Sequence, residues 1–183
     1  MKRVIVVLIF AAVGFTVGFG VLLASSAAWA AETFHGTVHI SLKTSGADIC
    51  DLTASNIDES GLGNPNVTYT LAGQAVLGKA CQNNGGNFPT DPKKASDAAN
   101  ASGNVTVEPK NGRVRGASVT IDISAQVPVP LSCPGGQTPV VVCCKYTGIT
   151  LTDSTNGVAA TVDTGSASFT LAGSPPSATG LCP

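Results

Sequence analysis

Residues 67–71 read Val-Thr-Tyr-Thr-Leu, and this alternation places Val67, Tyr69 and Leu71 on one face of a strand and two threonines on the other. The same alternation recurs at 37–42, 119–123 and 149–152, whereas no segment after residue 31 keeps a helical period. Short strands separated by frequent turns favour a sandwich over a barrel. The sequence therefore predicts an all-β protein, an antiparallel β-sandwich of the Ig-like or Greek-key type with about seven to nine short strands.

Turn signals lie beside these strands. Asn111-Gly112 precedes the strand predicted over 113–123, and Asn156-Gly157 follows the strand predicted over 149–152. Asn-Gly tolerates the positive φ angles that a two-residue hairpin turn requires. We therefore expect a hairpin at each dipeptide, together with two longer loops at 82–102 and 128–139.

The first thirty residues have the composition of a secretory signal peptide. Lys2 and Arg3 precede an uncharged apolar run, and an Ala-x-Ala cleavage sequence follows at 28–30. We therefore predict a signal peptide over 1–30 and a single β-sandwich domain over 31–183. The protein is expected to be secreted to the extracellular space, where cysteine thiols oxidise to disulfides.

An uncleaved N-terminal anchor is the alternative interpretation. The apolar run extends from Val4 to about Ala24, which is longer than a typical signal-peptide core. It also contains Gly14 and Gly18, a spacing that packs membrane helices. If the segment is cleaved, we expect no further membrane association, because no later apolar segment approaches the roughly twenty residues that a spanning helix needs.

The charge of the predicted mature chain argues against nucleic acid as a partner. Without Lys2 and Arg3, eight basic residues face eleven acidic residues, which gives a net charge of −3. Phosphate binding needs clustered Lys and Arg side chains, and the sequence contains no basic stripe. Anionic membrane surfaces are disfavoured for the same reason.

Three motifs occur in order along the chain: Gly-Leu-Gly-Asn at 61–64, Cys-x-Asn-x-Gly-Gly-Asn at 81–87 and Cys-Pro-x-Gly-Gln at 133–137. Together they resemble a group of small secreted β-rich proteins of unassigned activity. The resemblance covers residues 52–171. It implies the β-rich fold and one disulfide, but no function.

The six cysteines allow fifteen pairings. We favour Cys81–Cys133, because each residue lies where a predicted strand meets a long loop, and the bond would tether both loops where a binding surface could form. The remaining cysteines, which fall outside the shared motifs, are Cys50, Cys143, Cys144 and Cys182.

Cys143 and Cys144 are adjacent, and adjacent strand residues point to opposite faces. Cys144 shares its face with Val140, Val142 and Tyr146, so we expect it to point into the core and to bond to Cys50. Cys143 shares its face with Lys145, so we expect it to point outward and to bond to Cys182. The alternative is a vicinal redox disulfide or a metal site, although no His-Cys ligand spacing accompanies the pair.

Other polar residues are interpreted without a chemical role. His35 and His39 should project from the polar face of a strand, exposed and functionally silent. Asp153 and Asp163 flank the second predicted hairpin and should serve turns. A loose acidic cluster lacks the spacing of a calcium loop and is interpreted as a solvated loop. Its members are Asp48, Asp51, Asp58 and Glu59.

The sequence contains neither a G-x-S-x-G elbow nor an H-E-x-x-H motif. We therefore predict no catalytic, cofactor-binding or metal-binding residue and no cofactor. The leading hypothesis is a non-enzymatic extracellular module that binds an unknown ligand or protein, or forms part of a surface structure. The alternatives are a secreted hydrolase with a diffuse acidic site and a subunit of an extracellular assembly joined through sheet edges.

Overall fold

The computed structural model describes residues 31–63, 65–175, 177 and 180–183. The predicted signal peptide at 1–30 lies outside the described residues, and so does Asn64 of the Gly-Leu-Gly-Asn motif. In the part of the chain that is described, no helix has the length and the hydropathy that a membrane crossing requires.

Within the described residues, nine strands form two antiparallel sheets, which confirms the predicted β-sandwich. The first sheet contains β1 (Thr33–Phe34), β2 (His39–Leu42), β3 (Leu52–Ser60) and β6 (Arg113–Ile121). The second sheet contains β4 (Val67–Asn83), β5 (Lys94–Val107), β7 (Gln137–Asp153), β8 (Val158–Ala159) and β9 (Ser166–Thr170). In the first sheet β3 is central, with β6 on one side and β1 and β2 on the other. In the second sheet β4 lies between β5 and β7, and β7 pairs with β8 and β9.

The alternation of apolar and polar residues places the core where it was predicted. Val67, Tyr69 and Leu71 are buried in β4, and Val119 and Ile121 are buried in β6. Burial of these side chains between the sheets removes apolar surface from water and supplies the main stabilisation. The predicted strand at 119–123 ends at Ile121, however, because Asp122 caps the short helix α1 (Ile123–Gln126) by accepting a hydrogen bond from the Ala125 N–H.

Three of the strands are much longer than expected, so the predicted loops are shorter. The loop expected at 82–102 is confined to 84–93, because β4 continues to Asn83 and β5 begins at Lys94. Residues 94–102 are rich in Ala, Ser, Asp and Asn, a composition typical of loops, yet they pair with β4 over their whole length. Backbone pairing along β4 therefore outweighs the weak strand propensity of this segment.

The hairpin predicted at Asn111-Gly112 is wrong, although the tight turn itself is present. Asn111 and Gly112 have φ angles of 53° and 70°, and Lys110 and Arg113 form an isolated bridge across them. The strands on either side do not pair with each other, since β5 pairs with β4 and β6 pairs with β3. The turn therefore carries the chain from one sheet to the other.

The second Asn-Gly dipeptide lies in a true hairpin with a longer loop than expected. β7 and β8 pair at Asp153 and Val158, so four residues close the turn. The Asp153 carboxylate accepts hydrogen bonds from the Thr155 and Asn156 N–H groups, as expected for a turn residue.

Three disulfides are present: Cys50–Cys144, Cys81–Cys133 and Cys143–Cys182. These are the pairs that the sequence analysis favoured. Cys144 lies in the main core as expected, but Cys143 is 1% exposed rather than outward in water. It packs in a second small core on the outer side of the sheet, which Leu181 and Phe88 help to cover.

The strict alternation of faces predicted for β7 is broken near the start of the strand. The register between β4 and β7 shifts between the Gly78–Cys143 and Lys79–Val141 pairs, so Val142 has no direct partner and belongs to the second core rather than to the main one. A bulge adds one residue to a strand and therefore breaks the alternation of faces.

Candidate functional site

The sequence predicts that a binding surface could form where the Cys81–Cys133 bond tethers the two long loops. A hollow of about 420 Å³ does adjoin the 84–93 loop, but its other wall is the segment 172–175 that follows β9, and the loop around Cys133 does not line it. The Asn83 side chain orders this loop by accepting hydrogen bonds from the Gly85 and Asn87 N–H groups.

A more regular surface covers the outer side of the second sheet. Hydrogen bonds join hydroxyl and amide side chains across its strands, with Thr68–Thr106 at 3.0 Å, Thr70–Asn104 at 2.7 Å and Thr70–Ser154 at 2.5 Å. Cross-strand pairs of this kind hold side chains in fixed positions. We call this surface the polar face, and its uncharged members are Thr68, Thr70, Gln74, Asn100, Ser102, Asn104, Thr106, Thr147, Thr150 and Thr152.

A groove crosses the polar face. It consists of two adjoining hollows of about 370 and 410 Å³, which share Gln74, Asn100 and Thr147 as lining residues. The register of β4 and β7 shifts between Ala72 and Gln74, and Gly148 opposite has a φ of 63°. The groove therefore lies where a bulge and small side chains lower the surface of the sheet.

The wall of the groove at Ser102 is held in place by Gln126, a residue outside the second sheet. The Gln126 amide donates to the Ser102 carbonyl and accepts from the Ser102 N–H, both at 2.7 Å. Gln126 is the last residue of α1, so this short helix serves to fix the edge strand β5. The amide takes the place of the missing neighbouring strand at this position.

A second concavity, of about 500 Å³, lies at the turn between β5 and β6. Its charged lining residues are Glu108, Lys110, Arg113 and Arg115, and Val107, Asn111 and Val114 complete the lining. Asp58 binds Arg113 through two hydrogen bonds of 2.6 and 2.7 Å, and this pairing holds the pKa of Asp58 below its usual range. Asp58 and Glu108 thus offset much of the positive charge at this cleft.

The most unusual chemical group is inside the sandwich. The sequence predicts Glu59 in a solvated loop, but this prediction is wrong, because Glu59 lies in β3, points into the core and is fully buried. In the described part of the chain, neither of its carboxyl oxygens has a hydrogen-bond partner of ordinary geometry, and the buried Tyr69 hydroxyl facing it has none either. Burial raises the pKa of Glu59 to about 7, and the nearby negative charge of Asp153 contributes to the increase. We call Glu59, Tyr69 and Asp153 the acid cluster.

The histidines lie on the surface, as expected. His35 lies 2.6 Å from the Ser60 hydroxyl, and His39 lies 2.6 Å from the Asp163 carboxylate. Asp163 also accepts the Ile40 N–H at 2.9 Å, so it ties β2 to the strand-like segment after β8 rather than serving a turn. No set of three or more His, Cys, Asp or Glu side chains within the described ranges is arranged to hold a metal ion.

Known protein families, curated proteins and solved structures give no match to this chain. Membership in the group that shares the three sequence motifs therefore stays a prediction. Neither the groove nor the acid cluster is predicted by the sequence. Gln74 and Asn100 are ordinary polar strand residues, whereas Glu59 carried a usable signal, since it is two residues from Ile57 and so shares its face.

Proposed function

We propose that this protein is a secreted, non-enzymatic binding module whose groove on the polar face takes a neutral, hydroxyl-rich chain such as a polysaccharide. The observation that carries the proposal is the lining of the groove by amide and hydroxyl side chains without a charged group. Amides and hydroxyls both donate and accept hydrogen bonds, as the hydroxyls of a neutral glycan do.

The shape of the groove supports a chain rather than a compact ligand. The two hollows follow one another along β5 from Ala98 to Ser102, and both open to the surface of the sheet. No aromatic side chain lines either hollow, so stacking on a sugar ring is not available there. Each hydrogen bond replaces one with water and contributes about 1 kcal/mol, so we expect a dissociation constant on the order of 1 mM.

The placement of the carboxylates supports binding rather than hydrolysis. Glycoside hydrolysis needs two carboxyl groups on either side of the scissile bond. The groove is lined by none, and Glu59 and Asp153 are fully buried between the sheets. A bound chain in the groove would therefore not lie between two carboxyl groups, as glycoside hydrolysis requires.

The edge of β5 is poorly suited to assembly by strand addition. Alternate residues of an edge strand present free backbone groups to a partner strand. At Ser102 those groups are bonded to Gln126, and at Ala98 the N–H donates to the Asp97 carboxylate at 2.8 Å. These contacts disfavour the alternative of an assembly joined through this edge.

The secreted location rests on the predicted signal peptide and agrees with the presence of three disulfides. We expect cleavage after Ala30, so that the mature protein begins at Ala31. Intact-mass measurement of protein recovered from the medium tests this, and a membrane-bound protein that retains residues 1–30 would support the anchor.

A titration followed by NMR tests the groove, because it detects millimolar binding. The probes are neutral oligosaccharides of glucose and of N-acetylglucosamine, chosen from a glycan array. We expect shifts at Gln74, Asn100 and Thr147 that disappear in the double variant Gln74→Ala with Asn100→Ala. The matched control is Thr106→Ala, which removes a polar side chain from the same face outside the groove and should leave binding unchanged.

Three results would contradict the proposal: no response to any neutral glycan, shifts confined to the cleft at 107–115, or turnover in a screen of hydrolase substrates. Light scattering over a range of concentrations tests the assembly alternative. Growth in mass with concentration would favour it.

A further inference from the structure

Strand β1 is a small cover placed directly over the acid cluster. It has only two residues, and among the strands that the structure describes it pairs with β3 alone, with Thr33 opposite Ser60 and Phe34 opposite Glu59. Residues directly opposite each other in an antiparallel pair share a face, so Phe34 projects beside the Glu59 carboxyl. The Phe34 ring also packs against Tyr69, with the ring centroids 6.1 Å apart.

Little holds this cover in place. Besides its two pairs with β3, the following residue His35 donates its N–H to the Asp58 carbonyl at 2.8 Å and its ring lies 2.6 Å from the Ser60 hydroxyl. β1 is at the edge of its sheet, so its displacement would expose one side of Glu59 without separating the two sheets.

Such a displacement would lower the free energy of the Glu59 carboxyl group whenever it is ionised. Its oxygens are fully buried, and among the described residues the Tyr69 hydroxyl that faces them makes no hydrogen bond of ordinary geometry. A carboxylate in that position loses its hydration with only partial compensation from the Tyr69 hydroxyl, whereas a protonated carboxyl loses much less. Opening the nearest edge is the least disruptive way to return the charged group to water.

We propose that β1 is a proton-dependent cover, which stays paired to β3 while Glu59 is protonated and detaches when Glu59 ionises. The change would expose Phe34 and Tyr69. The device is independent of the groove and of the ligand proposed for it.

The groups that face Glu59 act in opposite directions: the Tyr69 hydroxyl lowers the pKa of Glu59, whereas the negative charges of Asp153 and Glu32 raise it. Tyr69 approaches from β4, the Asp153 carboxylate from the end of β7 and Glu32 from the residue before β1. Val114, opposite Glu59 on β6, is apolar. Desolvation together with the negative charges of Asp153 and Glu32 raises the pKa of Glu59 to about 7, which places the transition near neutral pH.

The charged groups on the opposite face of β3 need a separate control. Asp58 points away from the core and is bound by Arg113, and it also interacts with His35 and Arg115. The interaction of His35 with Asp58 also helps to hold the closed cover, because His35 follows β1 directly. A His35→Gln variant separates this contribution from that of Glu59.

Hydrogen exchange at the amides of Phe34 and His35 tests the proposal on the purified protein. After correction for the intrinsic rate, we expect their protection to fall by about 30-fold between pH 5.5 and 8.5. This value is the ratio expected when the pKa of Glu59 drops from about 7 in the closed form to its ordinary 4.5 in the open form. Amides around Leu77 in β4 should keep their protection and report that the sandwich stays folded.

The Glu59→Gln variant should show no such change with pH, and His35→Gln should retain it. An independent measurement on Phe34→Ala follows the Glu59 carboxyl carbon by NMR, and we expect its pKa to fall from about 7 towards 4.5 because the cover is gone. Constant protection in the unmodified protein, a pH response that survives in Glu59→Gln, or an unchanged titration in Phe34→Ala would each overturn the proposal.

Discussion

The two ends of β4 are secured by different chemistry. At one end, which we call the disulfide end, Leu77 pairs with Cys144 and Gly78 pairs with Cys143, and Cys81 is bonded to Cys133. At the other end, which we call the acid end, Tyr69 pairs with Asp153 and faces Glu59. One end is held by covalent bonds between distant segments, and the other by packing around a buried carboxyl group whose pKa is raised to about 7.

This difference means that the two ends should respond to different conditions. A disulfide is indifferent to protonation near neutral pH but sensitive to reductants. A buried carboxyl with a raised pKa is indifferent to reductants but loses its stabilising state as the pH rises. Each end can therefore be weakened while the other serves as an internal control.

The largest effect should come from the disulfide end. Replacing both Cys50 and Cys144 by Ala removes a crosslink that spans 94 residues, and we expect a loss of about 4 kcal/mol in the free energy of unfolding. Denaturant unfolding at pH 5.5 measures it. The matched double variant of Cys143 and Cys182 removes a crosslink of 39 residues and should cost less. An equal or smaller loss for Cys50 and Cys144 would contradict the ranking.

The acid end should give the next largest effect. The pKa of Glu59 is raised from 4.5 to about 7 in the folded protein, so its contribution to stability is fully present below pH 4.5 and is lost as the pH rises through 7. The full shift corresponds to about 3 kcal/mol, and we expect about 2 kcal/mol because the cover can open and hydrate the charge.

Unfolding measured at pH 5 and pH 8.5 should therefore differ by this amount in the unmodified protein and hardly at all in Glu59→Gln. The variant that lacks the Cys50–Cys144 bond should keep the same difference. If removal of that bond also abolished the dependence on pH, the two ends would not be independent.

A smaller effect is expected at the turn between the sheets near the acid end. Gly112 has a φ of 70°, and an added Cβ would lie 2.8 Å from the Leu62 carbonyl oxygen. Gly112→Val should therefore cost about 1.5 kcal/mol, measured as a lower melting temperature. The control Gly157→Val shares the positive φ but has open space around the added Cβ, so it should cost less. Equal losses would attribute the effect to the backbone angle alone.

The smallest effect should come from the edge of β5, between the two ends. Gln126→Ala removes two hydrogen bonds from Ser102, and we expect a loss of less than about 1 kcal/mol because water can replace the amide. Hydrogen exchange should accelerate at Ser102 and remain unchanged at Leu77. A mass that grows with concentration would indicate that Gln126 also shields the edge from other chains.

The β-sandwich could be predicted because its signals are local. A half-buried strand is indicated by spacing alone at Val67, Tyr69 and Leu71. The separate faces of Cys143 and Cys144 follow from the same period of two. The face of the sheet on which Val142 lies could not be predicted in this way. It is set by a bulge, and a bulge depends on the partner strand and is not visible in the sequence of β7.

The features that concern function depend on contacts between distant segments. Asn111-Gly112 specifies a tight turn, but it does not determine whether the flanking strands pair with each other. They do not, because β5 pairs with β4 and β6 pairs with β3. Glu59 looks like a surface residue by type, and its burial results from the approach of Phe34 and Tyr69. The groove arises from small residues on three strands that are adjacent only in the folded sheet.

The adjacent cysteines also have a consequence for how the chain matures. If the protein is exported from its N-terminus, Cys50 emerges long before Cys144, its partner 94 residues later, and Cys81 and Cys133 appear in between. When Cys143 and Cys144 arrive, an error of one residue would bond Cys50 to Cys143 instead of Cys144. Cys182 would then be left to bond to Cys144. Thiolate attack interconverts such isomers slowly without a catalyst. Efficient production of this small sandwich should therefore depend on a disulfide isomerase in the compartment where it folds.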